Sequence, residues 1–223
     1  MAVTDEAILK IREMLLTGEI GPGDRLAPEP QLAERLGLSR SSLREAIKAL
    51  EVIRVLDVRR GDGTYVTSLE PGLLLEAVSF VVDLHDDQSV LEILAVRRIL
   101  ESAAAAAAAK NPDPQDLADL HDVLASVDKA TDVEGLVKHD LEFHRRIAEA
   151  GGNGYLASLL ESLSSHTIRA RIWRGLTQEN AVARTLEEHH AILNAIERRD
   201  SELASAAMTL HVSGVEAWLR DAL

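Results

Sequence analysis

Apolar residues recur at helical spacing along most of the chain, and the points where that spacing stops divide it into elements. Ile8, Ile11 and Leu15 lie along one side of a helix predicted to begin near Thr4 and stop near Gly18. Gly21-Pro-Gly-Asp-Arg-Leu26 then reads as a turn. A second helix opens around Pro28 and Pro30, continues through Gln31-Leu-Ala-Glu-Arg-Leu36 and ends at Gly37. The third, Ser39-Arg-Ser-Ser-Leu-Arg-Glu-Ala-Ile-Lys-Ala-Leu50, has two faces: Leu43, Ile47 and Leu50 point inward, while Arg40, Arg44 and Lys48 form a separate stripe with Ser41 and Ser42 beside its N-terminal end. Ser39 suits the N-cap, and Gly37 suits a left-handed end to the preceding helix. After this the runs shorten. Arg54 to Arg60 and Thr64 to Thr67 are β-prone and flank Gly61-Asp-Gly63, the pattern of a hairpin. Three helices and a hairpin predict a winged helix-turn-helix over residues 1–67.

Ser68-Leu-Glu-Pro-Gly72 breaks the pattern, and helical periodicity restarts behind it. Helices are predicted from Leu73 to Leu84, Ser89 to Ala109, Pro114 to Lys129, Val133 to Ala150, Tyr155 to Arg174, Thr177 to Arg198 and Ser201 to Leu223. The breaks fall at Asp86-Asp87, at Asn111 to Pro114, at Gly151 to Gly154, at Gly175 and at Asp200. No strand-like run intervenes, so residues 73–223 are expected to form an all-α antiparallel bundle behind a linker at 68–72. The Ala103 to Ala109 run reads as close helix packing, because alanine is the best helix former and lets neighbours approach.

Composition agrees with a mainly α fold: 46% of the 223 residues are hydrophobic but only 3% aromatic. There is no cysteine, which excludes a disulfide framework and thiolate metal sites. No secretory pattern opens the chain and no apolar run reaches transmembrane length, so a cytoplasmic protein is the default expectation. The net charge of −13 argues against a nucleic-acid partner until it is divided: residues 1–66 hold ten Lys/Arg and eleven Asp/Glu, leaving 14 against 26 downstream. A near-neutral first domain can bind DNA when its basic residues share one face. The N-terminal turn of a recognition helix enters the major groove, where Arg pairs with guanine O6 and N7 and small hydroxyl side chains reach bases or phosphates. Arg40, Ser41 and Arg44 meet that demand.

In the order of its elements and in its words, this segment resembles the N-terminal domain of the GntR family of bacterial transcription regulators. The resemblance rests on Gly21-Pro-Gly-Asp-Arg-Leu26, Leu32-Ala-Glu with Leu36-Gly, Ser39-Arg-Ser-Ser-Leu-Arg-Glu-Ala46 and Arg60-Gly-Asp-Gly-Thr-Tyr-Val66. It implies base contacts from Arg40 and Arg44, backbone anchoring by Ser41 and Ser42, and a wing glycine, Gly61, in the minor groove. The chain departs from the family at Pro30, where an arginine is usual, at Arg54, where a turn glycine is usual, and at Asp62, where a basic wing residue is common.

In the second domain Asp140-Leu-Glu-Phe-His144 places a carboxylate and an imidazole one helical turn apart, close enough to share a metal ion. Glu188-His-His190 and Met208-Thr-Leu-His211 supply further candidates on the last two helices. This pattern is similar to the FCD effector domain of the FadR-like branch of that family, which implies Asp140, His144, His189 and His211 as ligands of a divalent metal. Zinc leads among the metals that suit one carboxylate and three imidazoles, with nickel or manganese as alternatives. The resemblance also implies a small carboxylate effector at or near the ion. It gives Arg97, in Arg97-Arg-Ile-Leu-Glu101, as a bidentate clamp for that effector, against a structural salt bridge as the alternative. Arg169, Arg171 and Arg174 are further candidates for the pocket lining. His190 is turned about 100° from His189 and should point elsewhere, and His139 is expected to be exposed.

These readings lead to a homodimeric DNA-binding regulator, a repressor in the family's common mode, on a near-palindromic operator, with no catalytic residue. Two other classes compete. A metal-dependent hydrolase would use Glu142 or Glu188 as base, but four protein ligands and no nucleophile motif argue against it. A helical metabolite-binding protein without DNA function would leave the winged-helix words unexplained.

Overall fold

Ser39 starts a helix in the way its side chain allows: its hydroxyl accepts the backbone N–H of Ser42 at 3.0 Å. Just before it, Gly37 takes a left-handed φ of 66° and its N–H closes onto the carbonyls of Ala33 and Glu34. This helix–turn–helix boundary belongs to a computed structural model that describes residues 3–70, 72–73, 87–128, 131–178 and 180–222. Two units are distinguished, Met1–Ala77 and Val78–Leu223.

In the first unit, α1 (Val3–Leu16), α2 (Glu29–Leu36) and α3 (Arg40–Val52) precede an antiparallel hairpin of β1 (Leu56–Arg59) and β2 (Gly63–Val66). Leu56 faces Val66 and Arg59 faces Gly63 in its register. Arg25 adds a single bridge to Tyr65, tying the turn before α2 to the wing. One core gathers Ala7, Ile11 and Met14 of α1, Leu32 of α2, Leu43, Ile47 and Leu50 of α3, and Leu56 and Val66 of the hairpin. Each fully buried Leu or Ile contributes about 1.5–3 kcal/mol. Burying that face leaves Arg40, Arg44 and Lys48 on the opposite, exposed one. Arg54, between α3 and β1, takes φ 59°, the left-handed conformation that explains why glycine is favoured in such a turn.

The second unit contains, among the described residues, α4 (Asp87–Lys110), α5 (Pro114–Ala125), α6 (Val133–Ala150), α7 (Gly154–Ser165), α8 (Ile168–Thr177), α9 (Ala181–Glu197) and α10 (Ser201–Ala222). The predicted helix Leu73 to Leu84 falls almost wholly outside the described residues. Asp113, Asp132 and Asn153 cap α5, α6 and α7 by accepting backbone N–H groups. Ala104, Ala105, Ala108 and Ala109 of α4 are buried, and Ser102 meets Thr209 at 2.7 Å where α4 runs antiparallel to α10. Phe143, Ile147, Ile192, Leu193, Ile196, Met208 and Val212 complete the main core.

Three predicted boundaries are corrected. The segment expected from Tyr155 to Arg174 is two helices, because the buried Thr167 turns its hydroxyl onto the Ser164 carbonyl and receives Arg97, interrupting the ladder. Gly175 does not end a helix but lies inside α8, where a Cβ would come 2.8 Å from Val133; the break falls before Asn180, at φ 59°. The segment from Pro114 ends at Ala125 and not Lys129, with the hydroxyl and N–H of Ser126 both on the Val123 carbonyl.

Candidate functional site

The first unit presents its candidate residues on the open side of α3. Arg40, Ser41 and Arg44 are exposed and Ser42 is half-buried. The Ser39 hydroxyl lies 2.9 Å from that of Ser41 and 2.7 Å from that of Ser42, so the cap and the two hydroxyls form one polar cluster. Arg44 donates through Nε and Nη2 to Oε2 of Glu29, at 3.1 and 3.0 Å, while its side chain stays 61% exposed. Gly61 sits in the hairpin turn at φ 79°. Asp62 beside it does not project its carboxylate freely: Oδ2 accepts the Tyr65 hydroxyl at 2.9 Å, its carbonyl accepts Arg25, and Arg59 stacks 4.2 Å above the Tyr65 ring. The acidic wing tip is therefore folded back among cations.

In the second unit, Asp140 and His144 on α6, His189 on α9 and His211 on α10 converge, with one ligand atom from each lying within 4.8 Å of the others. Nε2 of His144, His189 and His211 lie 3.6, 3.3 and 3.7 Å from Oδ1 of Asp140. Nε2 of His211 is 3.1 Å from that of His144 and 3.4 Å from that of His189. Two ligands on one ion at about 2.0–2.1 Å from it stand about 3.0–3.4 Å apart. The His189–Asp140 and the two His211–imidazole distances fall within that range and the other two lie a few tenths of an ångström beyond it, so small side-chain shifts let the four residues hold one divalent ion. His190, one position on, is exposed.

Behind each donor stands a second group. Nδ1 of His211 meets Oε2 of Glu188 at 2.8 Å, Nδ1 of His144 meets Oε2 of Glu101, and Oδ2 of Asp140 meets Nη1 of Arg171. Nδ1 of His189 faces Nε2 of His139 at 3.0 Å, and Phe143 stacks on the His189 ring at 4.0 Å. Such outer partners fix the tautomer and angle of metal-binding rings. Electrostatics follows the same plan. Burial would raise the carboxyls of Glu101 and Asp140, but Arg97 and His144 hold the first, and Arg171 and His144 the second, well below their ordinary values. Burial lowers the pKa of His189 and of His139, favouring the neutral ring in each. For His211 burial is outweighed by Asp140 and Glu188, so its pKa is raised.

The expectation that His139 is exposed is wrong: it is 4% exposed, because its ring is drawn between His189 and the Val123 carbonyl. Arg97 is also buried, with Nε donating to Glu101 at 2.6 Å and Nη1 to Thr167 at 2.6 Å. Arg98 pairs with Glu216 at 3.3 Å. Two cavities flank the cluster. A tight one of about 20 Å³ is lined by Asp140, Arg171, Arg174 and Thr185. Nη2 of Arg174 is buried without a hydrogen-bond partner among the described residues. A wider one of about 960 Å³ lies between α6, α7 and α8, with apolar walls from Val137, Leu141, Leu160 and Ile172 and with His144 and Glu101 among its lining. Sequence reasoning missed Glu188 and His139 as supports; their adjacency to His189 and Asp140 was visible, but the contacts that give them a role come from other helices.

Comparison with known proteins adds to this geometry. Residues 3–66 match the family described as bacterial regulatory proteins, gntR family, and residues 92–214 match the FCD domain. The chain is 34% identical to the HTH-type transcriptional regulator LutR of Bacillus subtilis, over 91% of this chain and 94% of that protein. It is 30% identical to the Uxu operon transcriptional regulator of Escherichia coli, over 95% and 84%. It is 27% identical to the galactonate operon transcriptional repressor of the same species, over 94% of each. Among solved structures, Streptococcus agalactiae GntR superposes with a TM-score of 0.71 at 25% identity, over 96% of this chain and 99% of that one. Among the described residues no helix is long and apolar enough to cross a membrane.

Proposed function

This chain belongs to the GntR family as a DNA-binding transcriptional regulator with an FCD effector domain, and is not an enzyme; from that premise we propose that it is a metal-dependent repressor released by a small organic acid. The observation that carries the metal reading is the convergence of Asp140, His144, His189 and His211, whose ligand atoms all lie within 4.8 Å of one another. Zinc suits the set best, and nickel or manganese also fit one oxygen and three imidazole donors. When bound, the ion supplies a positive point to which a carboxylate can add. Arg171 and Arg174, lining the tight cavity beside Asp140, are the cations best placed to take the other end of such an acid. Arg97 serves from behind, holding Glu101 against His144. Because the tight cavity has room for about one water, the acid must displace α8, which carries both arginines.

Arg40, Ser41, Ser42 and Arg44 read or anchor the operator from α3, and Gly61 brings the wing to the minor groove. Residues 1–67 form the DNA-binding domain and 73–223 the effector domain, joined at 68–72. The active form is a cytoplasmic homodimer on a near-palindromic site, since two equivalent recognition helices read two half-sites. The galactonate operon repressor and the Uxu operon regulator among its relatives support an operon-level regulator, and the first of them supports a repressor linked to an organic acid. The test is a band shift on genomic fragments with protein of measured metal content. Close to one divalent ion per chain, and release of the operator by small carboxylates only when the ion is present, is the expected result. Release that is indifferent to chelation would overturn the metal-dependent reading.

A further inference from the structure

His139 stands where no metal ligand is needed, yet it is buried and both of its ring nitrogens face polar atoms. Nδ1 lies 3.1 Å from the Val123 carbonyl in the last turn of α5, and Nε2 lies 3.0 Å from Nδ1 of His189 on α9. A carbonyl oxygen can only accept, so Nδ1 of His139 must be the N–H. A neutral imidazole has one N–H, so Nε2 of His139 can only accept, and Nδ1 of His189 must donate to it. The remaining nitrogen of His189, Nε2, is then left with its lone pair directed at Oδ1 of Asp140 and Nε2 of His211, 3.3 and 3.4 Å away. The Val123 end of the chain therefore selects this tautomer, and the acceptor–acceptor contact it leaves between Nε2 of His189 and Oδ1 of Asp140 is one that a cation between them relieves.

We propose that His139 is a positioning residue for the metal site: by relaying the Val123 carbonyl to His189, it fixes the one tautomer of His189 that can bind an ion. The other three ligands are steered by charge, from Glu101, Glu188 and Arg171. His189 alone is steered by a neutral ring. Its orientation is also set by Phe143, stacked on it with an interplanar angle of 15°. Stacking fixes the plane of the ring but not which nitrogen carries the proton. That choice needs a directional partner. The relay also gives α5, which supplies no ligand, a part in the site, since moving the Val123 carbonyl away would free His189 to take the other tautomer.

This inference rests on the metal reading given above, and two measurements keep their failures apart. The first is competition of Zn²⁺ between a chromogenic chelator and the full-length protein, using wild type, His139→Phe and His139→Gln. Phenylalanine keeps the ring and its burial without a nitrogen, whereas glutamine offers both a donor for Val123 and an acceptor for His189. His139→Phe should bind zinc about 10–100-fold more weakly, the usual effect of losing an outer partner. His139→Gln should recover most of that loss. Wild-type affinity in the phenylalanine variant would overturn the proposal, as would equal losses in both variants, which mark a packing role. The second measurement needs no variant: long-range ¹H–¹⁵N correlation on the metal-free wild-type protein should show His189 protonated at Nδ1. Protonation at Nε2 would overturn the relay whether or not zinc binds. If wild type takes up no zinc while His189 is protonated at Nδ1, the metal reading fails and the hydrogen-bond relay stands.

Discussion

The two candidate sites of this regulator live in opposite solvents. On α3 Arg40, Ser41 and Arg44 are exposed, and the ion pair between Arg44 and Glu29 is of a kind worth about 0–1 kcal/mol. In the effector domain Asp140, His144, His189 and His211 are buried and each is backed by another side chain, so the chemistry of the site and the stability of the bundle share the same contacts. The difference teaches where function can be altered without unfolding: at the recognition helix the two are separable, and at the cluster they are not.

The largest test of that contrast is Asp140→Ala. It strips Arg171 of its buried carboxylate, and breaking a buried pair on one side costs about 3–5 kcal/mol. Urea unfolding of chelated protein should show a loss of that size, and metal content should fall as well; unchanged stability would break the comparison. Next comes Arg44→Ala, which on the proposed reading removes one bidentate base contact. Operator affinity should drop by about 1–3 kcal/mol, with stability held within about 0.5 kcal/mol, as for other surface changes. A large fall in Tm would make Arg44 structural.

A pH series sharpens the contrast. In the metal-free protein His211 has a raised pKa, so its protonated form stabilises the fold fully below the ordinary value of 6.5, and that contribution is lost as pH rises through the raised one. An ion must displace that proton. The Tm gap between zinc-loaded and chelated protein should therefore widen as pH rises through and above 6.5; a constant gap would count against His211 as a ligand. The smallest effect belongs to His190→Ala, one residue from His189 but exposed, which should leave metal content intact and stability within about 0.5 kcal/mol.

Most of the winged helix was legible because its signals are local. Ser39 caps a helix through the N–H three residues on, Gly37 ends another, and Leu43, Ile47 and Leu50 declare their face by spacing. The pairing of Asp140 with His144 was legible for the same reason, the two lying one turn apart. His189 and His211 needed the family resemblance to join them. The supports around them were not legible, because Glu101, Glu188, Arg171 and His139 acquire their roles only across helix pairs. Thr167 shows the limit most plainly. Nothing near it in sequence ends a helix, and the group that rewards its hydroxyl for breaking one is Arg97, seventy residues earlier.

The Glu29–Arg44 contact has a consequence for how this protein would meet a polyanion. An arginine already neutralised by a carboxylate does not come to DNA as a full unit of uncompensated charge. It exchanges one anionic partner for another, so fewer condensed counterions are set free than a bare guanidinium would release. The slope of log K against log salt should then be shallower than the number of cations on the α3 face suggests, by up to about one phosphate equivalent. Glu29→Gln would restore it.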